Sequence, residues 1–128
     1  MKEPKIKESG ILNDVRLACA SAFGARLFRN NTGYFRGAEG RTYRTGLCVG
    51  SGDLIGWIVV DGIAVFTSVE VKSPRVRVNS SQQKWLEAVN AAGGIAIIAR
   101  SGDDAVSQLQ TIIRNRTEVG HACTGTQG

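Results

Sequence analysis

The sequence predicts one α/β domain in which helices flank a small mixed sheet. Two apolar segments, residues 63–71 and 95–99, lie on either side of a capped helical segment, the pattern of a right-handed crossover between parallel strands. Earlier segments are joined by tight turns and are predicted to be antiparallel. With 128 residues, 42% of them hydrophobic, the chain can bury its own core. We expect a single domain over 1–128, with its core at about 8–116 and a flexible tail at 117–128.

The first predicted element is a helix over residues 8–23. Gly24 is suited to end it, and its apolar side chains recur at helical spacing. They are Ile11, Leu12, Val15, Leu17, Ala18 and Ala22.

A polar, arginine-bearing and glycine-rich segment follows at residues 29–46. Such a length is unusual for a structureless connection and is often functional. The pattern leaves a mobile hairpin open as the alternative.

Three short strands are predicted next. A glycine-rich turn at residues 50–53 follows the first strand, and Asp61-Gly62 is a strong hairpin signal between the other two. The predicted strands are Leu47–Val49, Gly56–Val60 and Ile63–Val71.

The C-terminal part predicts helix, strand and helix. Asn79 and Gln82 have capping-box spacing at the start of a helix that runs to about Ala92. The apolar run at 95–99 is typical of a buried parallel strand. A last helix is predicted over about 102–116, which makes the order α-β-β-β-α-β-α.

Composition excludes several kinds of chemistry. Three distant cysteines, Cys19, Cys48 and Cys123, form no zinc spacing and favour a reducing cytoplasm. Because His121 is the one histidine, the chain has almost no residues from which to build a histidine-based catalytic triad or zinc site. No apolar stretch is long enough to cross a membrane, and residues 1–10 carry no signal peptide pattern. Any catalysis would therefore use carboxylates, lysine and a bound cation.

The net charge of +5 comes from 16 Lys plus Arg and 11 Asp plus Glu. It is concentrated between residues 16 and 51, which hold a single acid, Glu39, and several arginines. Arginine suits phosphate because its guanidinium presents a fork of donors. The arginines of this stretch are Arg16, Arg26, Arg29, Arg36, Arg41 and Arg44.

The strongest chemical signal is Glu70-Val71-Lys72 at the end of an apolar strand. Side chains alternate along a strand, so Glu70 and Lys72 share one face. A same-face ion pair is the alternative, although a charged pair is costly in a central strand. Asp53 follows a glycine turn, where an ordinary turn residue is the alternative. Two carboxylates on adjacent strands can share a hard cation such as Mg²⁺, and a lysine beside it can orient water or offset charge on a phosphate.

These motifs resemble the PD-(D/E)xK nuclease superfamily and, within it, the standalone phage-type members of the VRR-NUC (virus-type replication-repair nuclease) family. Gly52 stands where the superfamily has proline, but glycine also makes a tight turn. The matching segments are Glu8 on the first helix, Arg29-Asn30-Asn31-Thr32-Gly33, Gly50-Ser51-Gly52-Asp53-Leu54, Glu70-Val71-Lys72 and Gln82-Gln83-Lys84-Trp85.

The resemblance implies a restriction-endonuclease-like αβββαβ core and a metal-dependent endodeoxyribonuclease that uses Mg²⁺ or Mn²⁺. It also implies a homodimer acting on branched DNA such as Holliday junctions, in the cytoplasm of a host cell if the gene is a phage's. A nuclease on flap or linear duplex DNA and a non-catalytic DNA-binding module are the alternatives. Ile112 and Ile113 on the last helix are candidates for the dimer surface, with core packing as the alternative.

The resemblance also implies roles for the matching residues. Asp53 and Glu70 would bind the metal with the main-chain carbonyl of Val71, and Lys72 would assist attack. Glu8 would reach the metal directly or through water, unless it is only a solvated helix charge.

Two more residues complete the expected site. Gln82 would position Lys72 or a metal-bound water, with helix capping as the alternative, and Trp85 is interpreted as a core residue. The residues expected to contact DNA are Arg29, Asn30, Arg36, Arg41, Arg44, Arg75 and Arg77.

Overall fold

The computed structural model describes residues 8–125, with 118–125 described as backbone only. Alternating and helical apolar patterns produce three helices and six strands in this part of the chain. They are α1 (Glu8–Phe23), β1 (Arg26–Arg29), β2 (Gly33–Arg36), β3 (Thr42–Thr45), β4 (Leu54–Val60), β5 (Ile63–Val71), α2 (Ser80–Ala91), β6 (Ile95–Ala99) and α3 (Gly102–Gly125).

A mixed four-stranded sheet forms the centre of the domain, in the order β1-β4-β5-β6. Strand β4 is antiparallel to β5 and β6 is parallel to β5, as predicted. On its other side β4 is antiparallel to β1, a strand that the sequence pattern did not predict. The β4–β5 turn uses Asp61 at φ 51° and Gly62 at φ 79°, which is the twist that a two-residue hairpin needs. The core order α1-β1-β4-β5-α2-β6 confirms the nuclease-like αβββαβ arrangement.

The main core lies between the sheet and the packed pair of helices α1 and α3. Alternate residues of each strand face these helices, so Ile58 and Val69 are buried while Trp57 and Phe66 on the other face are exposed. Helix α2 covers only the β5–β6 half of that second face.

Helix α3 is longer than predicted, and its packing decides between the two interpretations of Ile112 and Ile113. The helix continues to Gly125, beyond the predicted end at residue 116. Ile112 and Ile113 pack against the core, which confirms the alternative of core packing over a free dimer surface.

The predicted strand Leu47–Val49 is wrong. These residues are exposed and form turns, and the N–H of Leu47 bonds to a side chain instead of a neighbouring strand. Strand β1 takes the predicted place beside β4. Pattern reasoning missed β1 because this edge strand buries one side chain, Leu27, and carries an arginine at each end.

Residues 29–46 contain the hairpin that the pattern left open. Strands β2 and β3 pair antiparallel and form a separate two-stranded sheet. Along the chain this hairpin lies between β1 and β4, which are neighbours in the central sheet.

Within residues 8–125, none of the helices is long and apolar enough to cross a membrane.

Gly56 provides a test of the β1–β4 contact. A Cβ at this position would clash with the main-chain oxygen of Arg26 on the neighbouring strand. We expect Gly56→Ala to lower the free energy of unfolding by about 2 kcal/mol, because overpacking forces the strands apart. Urea denaturation measures this loss.

The matched control is Gly10→Ala in α1, where a Cβ would meet no atom within 4 Å. That change should leave stability equal or raise it by up to about 1 kcal/mol, since alanine favours helix. An equal loss of unfolding free energy in Gly56→Ala and Gly10→Ala would contradict the close β1–β4 contact.

Candidate metal centre

The register of β4 and β5 brings Asp53 and Glu70 together. Leu54 pairs with Val69, so the next positions outward on the two strands are Asp53 and Glu70. The Oδ2 atom of Asp53 accepts a hydrogen bond from the main-chain N–H of Val71 at 2.8 Å. An acidic pair thus forms at the carboxyl end of the central strand.

Burial gives this pair unusual electrostatics. Burial, followed by the repulsion from Asp53, raises the pKa of Glu70 to about 7. Burial likewise raises the pKa of Asp53, while the hydrogen bond from Val71 acts in the opposite direction. Lys72 Nζ lies 3.6 Å from Glu70 Oε1 and partly offsets the negative charge. The same-face ion pair foreseen from the sequence is therefore part of the acidic site.

Gln82 caps helix α2 and also contacts the acidic pair. Its Oε1 accepts from the N–H of Asn79 at 3.0 Å, and its own N–H donates to Asn79 Oδ1 at 2.9 Å, which completes the capping box. Its Nε2 donates to Glu70 Oε1 at 2.8 Å. The side chain positions Glu70, whereas the sequence predicted Lys72 or a metal-bound water as its target.

A cavity of about 170 Å³ opens beside the acidic pair. Glu8 from α1 and Arg29 from β1 line it together with Asp53 and Val71. Glu8 is exposed, and its negative charge raises the pKa of both Asp53 and Glu70.

Asn30 has a structural position, which corrects the expectation that it contacts DNA. Its side chain is 8% exposed, and its Nδ2 donates to Ser51 Oγ at 2.7 Å and to the carbonyl of Gly52 at 2.8 Å. Its Oδ1 accepts from the N–H of Leu47 at 3.0 Å. Its main-chain N–H donates to the carbonyl of Asp53 at 2.8 Å. Asn30 thus joins the end of the hairpin segment to the turn that carries Asp53.

The glycine turn before Asp53 is closely packed. A Cβ at Gly52 would clash with Ser68 Oγ on β5, and one at Gly50 would meet the main chain of Ser81 at the start of α2. Gly50 also has φ 87°, which favours glycine. The turn therefore fits directly between the strand that carries Glu70 and the helix that carries Gln82.

Sequence reasoning missed a polar contact that supports this packing. Trp85 Nε1 donates to the buried Ser68 Oγ at 2.9 Å, and the Trp85 ring meets Phe66 edge-on at 6.4 Å. The available signal was the serine in a mostly apolar strand. Trp85 is half-buried and packs against Phe66 outside the main core, so the interpretation of a core residue is wrong although the side chain does serve packing.

The expected DNA-contacting arginines are exposed in three places. Arg29 lines the cavity, and Arg75 and Arg77 lie in the loop after β5. The other three lie on the β2–β3 hairpin: Arg36, Arg41 and Arg44.

The donor set fits a hard divalent cation. Asp53 and Glu70 supply carboxylate oxygens, and Val71 a nearby main-chain carbonyl, which suit Mg²⁺ or Mn²⁺. Among the described residues, no group of three or more His, Cys, Asp or Glu side chains is close enough to hold a metal. The shell of such a cation would therefore need water and phosphate oxygens in addition, as is usual for Mg²⁺.

Comparison with protein families identifies the arrangement. The model of the VRR-NUC domain matches residues 29–103, more than half of the chain. The chain belongs to the VRR-NUC family. Membership assigns a nuclease activity on DNA to this VRR-NUC domain. The match covers the acidic pair, Lys72 and Gln82, whereas Glu8 precedes it. No curated protein matches the chain.

The partly buried acidic pair should lower the stability of this VRR-NUC domain when no cation is bound. Asp53→Asn removes one of the two like charges, while the amide oxygen can still accept from Val71 and the Glu70–Lys72 pair remains. We expect the melting temperature in chelator to rise by about 3 °C. Differential scanning calorimetry measures it.

Asp61→Asn is the control, since Asp61 is an exposed turn aspartate at φ 51°, a conformation that asparagine also tolerates. It should leave the melting temperature unchanged. If the melting temperature of Asp53→Asn does not exceed that of Asp61→Asn, the repulsion between Asp53 and Glu70 does not destabilise the domain.

Proposed function

We propose that this VRR-NUC domain is a Mg²⁺- or Mn²⁺-dependent endodeoxyribonuclease that cuts branched DNA such as Holliday junctions. The observation that carries the metal dependence is the close pair of a buried carboxylate, Glu70, and a partly buried one, Asp53, beside Lys72. Buried carboxylates that lie together are normally compensated by a cation. A surface that only binds DNA has no use for clustered acids facing phosphate, which counts against a non-catalytic module.

Each side chain has a separate task in the proposed reaction. Asp53, Glu70 and the carbonyl of Val71 would hold the cation, with Glu8 reaching it directly or through water. A bound divalent cation would supply polarisation of the phosphate and a lower pKa for a coordinated water. Lys72 is 12% exposed and can orient the attacking water or offset charge on the phosphate.

The position of Gln82 supports the role of Glu70 in this scheme. Gln82 Nε2 and Lys72 Nζ both approach Oε1 of Glu70, which leaves Oε2 for the cation. Fixing one carboxylate oxygen in this way orients the other, as supporting hydrogen bonds do at metal sites.

A homodimer belongs to the proposal because symmetrical cutting of two strands needs two sites related by a twofold axis. An apolar area on the sheet face opposite α1 and α3 supports a second copy of this chain as the partner. Its members are exposed and adjacent: Phe28, Trp57, Val59 and Phe66. The ring centroids of Phe28 and Trp57 are 5.9 Å apart. A cytoplasmic location and a phage origin stay predictions.

A cleavage assay over a panel of labelled substrates tests the proposal. The panel contains a four-way junction, a flap, a linear duplex and a single strand, each with Mg²⁺, Mn²⁺ or chelator. We expect the junction to be cut best, only with metal, and by a species of dimer mass in sedimentation equilibrium. Asp53→Ala and Lys72→Ala should reduce cutting by at least about a hundredfold while the fold is kept.

Cutting that survives Asp53→Ala or excess chelator would overturn the site. Equal cutting of flap, duplex and junction would support the alternative of a nuclease without junction preference. Binding without any cutting in either metal would favour the non-catalytic module.

Gln82→Glu separates the two roles of Gln82. Glutamate at this helix position can still accept from the Asn79 N–H, so the capping box remains. It cannot donate to Glu70 and brings a second negative charge to it. We expect an unchanged helix content by circular dichroism and a loss of metal-dependent cutting of about 10–100-fold.

The matched control is Asn79→Asp, which also keeps the cap but does not touch Glu70. It should cut at the rate of the unmodified domain. A Gln82→Glu domain that is as active as this control would show that capping is the only role of Gln82.

A further inference from the structure

The β2–β3 hairpin exposes both of its faces. Between residues 31 and 49 none is buried, and the exposed fractions of Tyr34, Phe35 and Tyr43 are 67%, 53% and 45%. The two strands pair with each other and lie outside the four-stranded sheet. Core packing therefore does not account for three aromatic residues in this short segment, which points to an external partner.

The register divides the hairpin into two chemically different faces. Phe35 pairs with Tyr43, and their rings stack with centroids 5.4 Å apart and an angle of 25°; we call this pair the aromatic face. Side chains alternate along strands, so Arg36, Arg44 and the third aromatic residue, Tyr34, lie on the opposite side, which we call the arginine face. Arg41 lies at the tip, where its carbonyl accepts from the N–H of Gly37.

The base of the hairpin is fastened to the metal centre. Asn30 precedes β2 and accepts from the N–H of Leu47, which follows β3, at 3.0 Å. The same buried side chain donates to Ser51 and Gly52 beside Asp53. The hairpin is therefore held in a fixed relation to the turn that supplies the first carboxylate.

Charge decides what kind of partner the hairpin fits. It carries three arginines, Arg36, Arg41 and Arg44, against one acid, Glu39. A second copy would bring like charges together, which is unfavourable. Nucleic acid instead offers phosphates to arginine and base faces to aromatic rings. In an intact duplex the base faces are stacked on one another, whereas a branch point leaves some of them accessible.

We propose that the hairpin is a branch-reading arm. The arginine face and Arg41 bind backbone phosphates, and Phe35 and Tyr43 stack on a base exposed at the branch point of the DNA. This inference rests on the proposed function, since it names the feature of the substrate that selects branched over linear DNA. It assigns to the hairpin aromatics a specificity-determining contact separate from the metal centre.

The test measures binding without cleavage, in chelator and in the Asp53→Asn background. The probes are a four-way junction with 2-aminopurine at the branch and a linear duplex with the same base inside. Phe35→Ala/Tyr43→Ala should weaken junction binding about tenfold, because each stacked base contributes on this scale, and change duplex binding less than twofold. The fluorescence change of 2-aminopurine on binding should be lost.

Two further variants distinguish stacking by aromatic rings from a contact that needs only apolar bulk. Phe35→Tyr/Tyr43→Phe retains both rings and should bind like the parent, whereas Phe35→Leu/Tyr43→Leu retains apolar bulk and should behave like the alanine variant. Ile63→Ala, at the far end of β5 from the metal centre and 67% exposed, is the control for loss of an exposed apolar side chain and should have no effect.

Three results would overturn the inference: unchanged junction binding, an equal loss on junction and duplex, or a change of sedimentation mass in the alanine variant. The last would make the aromatic face a contact between copies. These results leave the proposed function standing if the unmodified domain still cuts junctions with Mg²⁺. A domain that binds and cuts no DNA would overturn the proposed function and the inference together.

Discussion

Two carboxylates with raised pKa values share one partly buried place in this domain, and much of the surrounding structure serves to hold them there. Like charges in a poorly solvated site repel, so Asp53 and Glu70 stay together only because other groups compensate them. The Val71 N–H, the Lys72 ammonium and the Gln82 amide each contact one of the two. All three come from the last residue of β5, the residue directly after it or the helix that follows, so the segment that carries Glu70 also organises its compensation.

The register between β4 and β5 is what makes this pairing possible. A slip of one residue would turn every side chain of the strand to the other face and separate Asp53 from Glu70. The hairpin turn at residues 61–62 sets the register at one end, and the close packing of Gly52 against Ser68 supports it at the other. Seven residue pairs join the two strands. The geometry of the metal centre thus depends on the β4–β5 turn, which lies at the opposite end of these two strands.

Local patterns predicted much of this structure, and long-range packing accounts for the rest. The capping box at Asn79 and the strand that ends in Glu70-Val71-Lys72 depend on neighbouring residues, and both are confirmed. Strand β1 could not be recognised, because an edge strand needs one buried side chain and a partner that lies far along the chain. For Asn30, the sequence cannot distinguish an amide that meets DNA from one that is buried and joins two loops. The roles of the site residues in catalysis stay predictions.

The glycine in place of the superfamily's proline has an evolutionary consequence. The room for any ring at position 52 is taken by the hydroxyl of Ser68, and that hydroxyl is the acceptor for the Trp85 indole. A proline at 52 would need a smaller residue at 68, which would leave the indole N–H of Trp85 without its acceptor. Positions 52, 68 and 85 should therefore vary together among related sequences, and those with proline at 52 should differ from this chain at 68 and 85.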